Sequence, residues 1–195
     1  MRFITNCYYT IILISFFVFF LAGCTKNIKP ELPESELKIE DKLPIRIGLL
    51  LDEKTRNYVY SFTGKFPIGK ALHDISIEAL NTMFSRVEEI KTTKPLPSEV
   101  LGVIEVKLLG FHMTRRGMAH DSYIVLEAKF MDDEGNEIWR DLILGEGNSG
   151  VFWGDRVESV EIALQDAVTK LVYGMRKSDE IKEFAIRKFL SESSV

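Results

Sequence analysis

The spacing of apolar residues predicts an α+β domain over residues 45–195, with a mainly antiparallel sheet and two or three amphipathic helices packed on one face. Three observations point there. Several segments place an apolar residue at every second position, as in Ile45, Ile47, Leu49 and Leu51, which marks a strand with one buried face. Two longer segments switch to a helical period, through Leu72, Ile75, Ala79 and Leu80 and again through Val160, Leu164, Ala167 and Val168, as amphipathic helices do. Short turn-forming stretches separate neighbouring strands, and adjacent hairpins favour antiparallel pairing with helices gathered on one side.

Taken in order, Ile45–Asp52 is the first strand. Tyr58, Tyr60 and Phe62 alternate with Val59, Ser61 and Thr63 and predict a second. Pro67 and Gly69 interrupt the pattern. From Lys70 a helix follows, with Met83 and Phe84 continuing its apolar stripe and His73, Asp74, Glu78 and Asn81 opposite. Val87–Ile90 reads as a short strand, and 91–98, with Pro95 and Pro97, as a loop. Val103–Thr114 is a strand, Arg115-Arg116-Gly117 a turn, and Tyr123–Met131 a strand with Ile124, Leu126, Ala128 and Phe130 inward. Asp132–Asn136 forms a hairpin loop whose Gly135 suits a left-handed position, and Ile138–Leu144 returns as a strand. Gly145–Gly154 is expected to be irregular. A second helix starts at Val157, and a third, shorter one covers Asp179–Leu190 with Ser178 as its N-cap.

Ahead of the domain, Tyr8–Leu21 is an almost wholly apolar run of fourteen residues with Arg2 as its only upstream charge. That is short of the roughly 20 residues a membrane-spanning helix needs. A short positive start, a short apolar middle and small residues before a break describe a secretory signal peptide, here residues 1–23. The run ends in Leu21-Ala22-Gly23-Cys24, which resembles the lipobox of bacterial lipoproteins. The resemblance implies cleavage before Cys24, a thioether-linked diacylglycerol on Cys24 and a further acyl chain, such as palmitate, on its new amino group. Several acyl chains make a stable membrane anchor, each buried methylene contributing about 0.8 kcal/mol. Thr25, rather than Asp, follows the cysteine, which under the sorting rule of enteric bacteria implies an outer-membrane protein facing the periplasm. The stretch 24–44 carries Pro30, Pro33 and Pro44 among many charges and reads as a flexible tether, its roughly 19 central residues averaging about 25 Å end to end.

Removing residues 1–23 takes away one charge, that of Arg2, so the formal charge moves from −4 to −5. Cys7 leaves with the signal peptide and Cys24 is consumed by lipid, so no thiol remains for a disulfide, a zinc site or a nucleophile. An apolar core must hold the fold, and a chain 46% hydrophobic can supply one. Mild acidity without a Lys/Arg stripe argues against nucleic acid.

No stretch assembles catalytic chemistry. Gly145-Glu146-Gly147-Asn148-Ser149-Gly150 fits G-x-G-x-x-G, but a dinucleotide fingerprint needs a helix opening at its third glycine, and Val151-Phe152-Trp153-Gly154-Asp155 intervenes. His73, His112 and His120 lack the i, i+4 spacing of a helical metal pair. Asp132, Asp133, Glu134 and Asn136 lack the twelve-residue spacing and late Glu of a calcium loop, and read as turn residues. These absences predict no enzyme activity, no cofactor and no metal. Trp139, Phe152 and Trp153, near a glycine-rich connection, are candidate partner contacts, with core packing the alternative for Trp139. Arg115 and Arg116 are candidates for acidic partners or lipid headgroups.

The pieces Gly69-Lys70-Ala71-Leu72, Ala79-Leu80, Met83-Phe84 and Ala163-Leu164-Gln165-Asp166-Ala167, with the lipobox and proline-bearing tether, resemble small outer-membrane lipoproteins, among them the lipopolysaccharide-assembly lipoprotein that plugs an outer-membrane barrel. The resemblance implies an α+β sandwich and a non-catalytic role beside an envelope protein partner. No diagnostic motif aligns, so no individual residue is carried over. The expectation is a lipid-anchored interaction or assembly factor of the cell envelope, with a carrier of lipid or another apolar ligand as the alternative.

Overall fold

The computed structural model describes residues 25–32, 42–61, 64–150 and 155–192. The order is β1 (Leu43–Leu51), α1 (Glu53–Arg56), β2 (Tyr60–Ser61), β3 (Lys65–Phe66), α2 (Ile68–Met83), β4 (Phe84–Glu89), β5 (Gly102–Arg116), β6 (Ala119–Asp132), β7 (Glu137–Asn148), α3 (Arg156–Lys177) and α4 (Asp179–Glu192).

Five strands form one sheet in the order β4-β1-β5-β6-β7. β1 is parallel to both β4 and β5, whereas β5–β6 and β6–β7 are antiparallel. The fold is therefore α+β, as expected, but the sheet is mixed rather than mainly antiparallel. The connections explain the difference. α2 carries the chain from the end of β1 back to its start, so β4 lies parallel beside it, as in any strand–helix–strand unit. Residues 90–101 then return the chain to the other side of β1. Apolar period reports which face of a strand is buried and is silent about strand direction.

The buried face is the one the alternation marks. Ile47, Leu49, Ile104, Ile124, Leu126, Ala128 and Phe130 are fully enclosed, and they meet Leu72, Ile75, Ala79 and Leu80 of α2 and Val160, Leu164, Ala167 and Leu171 of α3 in one continuous core. α4 closes one end, with the Phe184 ring edge-on to Phe130 at 5.4 Å between centroids. Ser178 caps α4 as expected, its Oγ accepting from the Ile181 N–H at 3.2 Å.

Three local features differ from the sequence reading. Of the predicted strand over Tyr58–Phe62, Phe62 lies outside the described residues and Tyr60–Ser61 is strand, but Tyr58 and Val59 are not. Just before them Asp52 opens a helical turn, its Oδ1 accepting from the Thr55 N–H at 2.7 Å. That turn has a structural task. Leu108 of β5 lies just past the end of β1, and its otherwise unpartnered N–H donates to the buried Thr55 Oγ1 at 2.8 Å. Arg115 and Arg116 are the last residues of β5, and the turn itself is Gly117-Met118, with Gly117 at φ +67°. β7 continues regularly through Asn148, where an irregular stretch was expected from Gly145.

The N-terminal segment differs too. Residues 25–32 dock on the domain: Thr25 bridges to Lys65, the Lys26 N–H donates to the Lys65 carbonyl at 2.8 Å, and the Lys29 N–H donates to Glu161 Oε1 at 2.6 Å. Ile28 is buried in the core and Leu32 packs against it. This half of the predicted tether is not free chain. One well-placed isoleucine suffices, even though it belongs to no periodic pattern.

Candidate interaction surfaces

Cys24, Phe152 and Trp153 lie outside the described residues. The other candidates from the sequence, Arg115, Arg116 and Trp139, are not brought together. Arg116 pairs with Ala119 at one end of β6 and Trp139 with Phe130 near the other. Eleven residues of strand separate them, about 36 Å at 3.3 Å per residue. Trp139 is half-buried against the core, beneath Gly174 of α3. Arg115 and Arg116 are exposed at the hairpin tip, Arg115 Nε donating to the Gly117 carbonyl at 2.9 Å.

The G-x-G-x-x-G stretch has a packing explanation. Gly145 and Gly147 stand on the inner face of β7, directly under α3. A Cβ at 145 would lie 2.6 Å from the Ala167 Cβ and collide with the Ala163 carbonyl oxygen. One at 147 would collide with the Ser159 carbonyl oxygen. Glycine here lets helix backbone rest on strand backbone. Beside this contact, Ser122 and Ser159 share a buried hydrogen bond of 2.8 Å, satisfying two hydroxyls that would otherwise be costly inside a core.

The histidines occupy different surroundings. His73 lies between Asp74, 2.9 Å from Nδ1, and Glu89, 3.1 Å from Nε2, and Glu89 also pairs with Arg56. The backbone N–H of His120 donates to Ser149 Oγ at 3.0 Å, while its ring Nε2 accepts from Arg156 Nε at 3.3 Å. Among the described residues no group of three His, Cys, Asp or Glu side chains is placed to hold a metal ion. The acidic hairpin turn is organised by Asp132, whose Oδ1 accepts from the N–H groups of Glu134 and Asn136 at 2.9 and 2.7 Å. Burial pushes the Asp132 carboxyl up, but hydrogen bonds from the Asn136 side chain and from the Asn136, Gly135 and Glu134 amides outweigh it and hold the group below its ordinary value.

Two surfaces that sequence reasoning did not single out stand out in the structure. The first is the outer face of β5, β6 and β7, opposite the helices. Part of it is a charge ladder: Lys107 lies 3.0 Å from Glu105, Lys129 3.6 Å from Glu127, and Arg140 3.6 Å from Glu127 and 2.6 Å from Glu137. In this ladder the exposed Arg140–Glu137 pair contributes only about 0–1 kcal/mol, whereas Glu105, Glu127 and Lys129 are largely covered by their neighbours. Next to it the face turns apolar, with Val125 beside Leu144 and Leu142 opposite Glu127. Leu142 is 65% exposed and Leu144 46%. The sequence held a signal for this surface. Leu142, Ile143 and Leu144 are consecutive apolar residues in a strand, and both parities cannot be buried when only one face is covered.

The edges of the sheet are closed to strand addition at several points. Along β7 the Leu142 N–H is taken by Asp141 Oδ1, the Leu144 carbonyl by Lys170 Nζ and the Glu146 N–H by Asp166 Oδ2, each at 2.8 Å. On β4 the Val87 N–H donates to Asn81 Oδ1 at 3.0 Å. Side chains that occupy edge groups in this way oppose edge-to-edge pairing. A partner of this sheet would meet its face.

The second surface surrounds Thr25. A recess of about 470 Å³ opens between residues 25–29 and the start of α2, lined by Lys26, Lys29 and Lys70 among others, with Lys65 adjoining through its bridge to Thr25.

Comparison with solved structures finds the same fold in an uncharacterised protein, 13% identical with a TM-score of 0.50, the match covering 78% of this chain and 96% of that one. More distant are the hypothetical protein CT253 from Chlamydia trachomatis, 10% identical with a TM-score of 0.47 over 67% of this chain and 95% of that one, and a minor lipoprotein from Acinetobacter baumannii, 10% identical with a TM-score of 0.37 over 67% and 91%. At such identities the likeness is one of fold alone. No protein-family model matches the chain, and no curated protein matches it. Among the described residues no helix is long and apolar enough to cross a membrane.

Proposed function

We propose that this chain is a lipid-anchored, non-enzymatic interaction protein of the bacterial envelope, acylated on Cys24, held at the outer membrane and facing the periplasm, where it binds another envelope protein. The observation that carries this reading is the contrast between the two sheet faces. On the inner face α3 sits on Gly145 and Gly147 with backbone-to-backbone closeness, which leaves no groove between α3 and β7 and supports docking over carriage. On the outer face Leu142 and Leu144 form an apolar centre flanked by charged residues, the arrangement of an interface core with a polar rim. The anchor follows from Leu21-Ala22-Gly23-Cys24.

Fractionation of cells expressing the tagged chain and its Cys24→Ala variant, with the intact mass of each, tests the anchor. The wild type should sediment with the outer membrane and carry the mass of its acyl chains, and the variant should not. An unmodified wild-type mass, or a variant equally membrane-bound, contradicts the reading. Affinity purification of the same pair tests docking. A stoichiometric envelope protein with the wild type is expected. Recovery of the chain alone with extractable lipid beyond its own acyl groups would favour the carrier.

A further inference from the structure

The docked N-terminal segment fixes how the domain meets its membrane. Cys24 lies outside the described residues, but its covalent neighbour is placed. Thr25 bridges to Lys65, and the next residue is held by the hydrogen bond from the Lys26 N–H to the Lys65 carbonyl. One Cα–Cα step, about 3.8 Å, separates Thr25 from the residue that carries the acyl chains. A leaflet that holds those chains must therefore come up against the surface around Thr25. A free tether would have imposed no such condition.

That surface is basic. Lys26, Lys29, Lys65 and Lys70 are all exposed, three of them line the recess beside Thr25, and none makes a side-chain ion pair among the described residues. Three carboxylates, Asp74, Glu161 and Glu31, stand near these four lysines and leave them a modest excess of positive charge. Asp74, which also lines the recess, bonds to His73 Nδ1 at 2.9 Å, and Glu161 is engaged by the Lys29 backbone N–H. Glu31 is the one further carboxylate on the docked segment. Of the ten other described lysines, Lys107, Lys129, Lys170, Lys182 and Lys188 each lie beside a carboxylate. The remaining five are scattered, so what sets this group apart is its clustering beside Thr25. Unmatched cations beside an anchor, on a chain of net negative charge, complement the phosphates of a leaflet.

Resting on the acyl-anchor reading above, we infer that the lysine-lined recess beside Thr25 lies against the bilayer surface and takes the phosphate headgroups of acidic envelope lipids. The acyl chains hold the chain at the membrane. The lysines hold the domain in one orientation on it, which leaves the outer sheet face free for a partner. The attraction acts over about a Debye length, roughly 8–10 Å in physiological salt, so only a domain clamped this near its anchor can use it.

The test uses the mature acylated chain, purified from membranes and placed in phosphatidylcholine vesicles with or without phosphatidylglycerol. Lysine reactivity toward a water-soluble acylating reagent is read by peptide mass spectrometry. Lys26, Lys29, Lys65 and Lys70 should lose reactivity several-fold on the anionic vesicles alone and regain it in high salt, while Lys94 and Lys182, remote from Thr25, stay constant. Replacing Lys26→Glu with Lys70→Glu should abolish the protection of Lys29 and Lys65 without changing the thermal midpoint. Equal reactivity on both vesicles, or protection centred on Lys94 and Lys182, overturns the inference. So does equal protection by inorganic phosphate without vesicles, which would mean a soluble-anion site. Intact mass, taken before any vesicle is added, reports the anchor separately.

Discussion

Gly147 of β7 lies directly beneath Ser159 of α3, so close that a Cβ on residue 147 would overlap the Ser159 carbonyl oxygen. Replacing Gly147→Ala should therefore lift α3 from the sheet and destabilise the protein by about 1–3 kcal/mol, the usual range for overpacking a tight core. Gly110→Ala, with open space around the new methyl, should fall within about 0.5 kcal/mol of wild type. Urea unfolding midpoints distinguish the two. Equal midpoints would mean that the helix is not seated as described.

The hydroxyls of Ser122 and Ser159 face each other across the same contact, and Ser159 also donates to the Arg156 carbonyl at 3.0 Å. Ser159→Ala strands the Ser122 hydroxyl in a fully buried position and should cost about 1–3 kcal/mol. Removing both hydroxyls should cost no more than the Ser159 change alone. A double-mutant cycle checks this, and simple additivity of the two losses would argue against a shared bond.

Asp132 contributes to the acid limb of stability. Its carboxyl is held below the ordinary value in the folded chain, so its contribution is fully present above the unfolded value near 4. That contribution is lost as pH falls through the lower folded value. Asp132→Asn should lower the thermal midpoint at pH 7, and the gap to wild type should narrow below about pH 4. Thermal melts across pH 2–7 measure it. Parallel curves for the two proteins would show that the turn bonds do not depend on the ionised carboxylate.

Ser178 joins α3 to α4. It is nearly buried, accepts from the Ile181 N–H and donates to Glu180 Oε2 at 2.6 Å. Ser178→Ala should cost about 1 kcal/mol, with amide exchange rising mainly in residues 179–185. Uniform acceleration over the whole domain would mean that α4 does not loosen on its own.

Much of this architecture is legible in the residues. The alternation of Ile124, Leu126, Ala128 and Phe130 marks the buried face of β6, and the stripe from Val160 to Met175 marks that of α3, because burial on one face imposes a period on the sequence. Strand direction left no such trace, so the parallel pairing of β1 with both neighbours was not visible. Gly145 and Gly147 invite a phosphate-loop reading when seen as a motif. Only the position of α3 shows them to be contact points between backbones. Ile28 is a single apolar residue among charges and prolines, and its burial depends on a surface built by residues far along the chain. The lysines around Thr25 come from separate parts of the sequence, so their grouping exists only in the folded domain. Leu142 and Leu144 could have been found earlier, since Ile143 already occupied the inward position between them.

The central claim is that an envelope protein docks on the helix-free face of the sheet. Photo-crosslinking in cells from residue 142, with residue 186 of α4 as a comparison on the helical side, tests it most directly. The account predicts a discrete crosslinked envelope protein from position 142, none from 186, and loss of the product when Cys24→Ala is introduced. Crosslinks from 186 alone, or a product from 142 unaffected by Cys24→Ala, would contradict it.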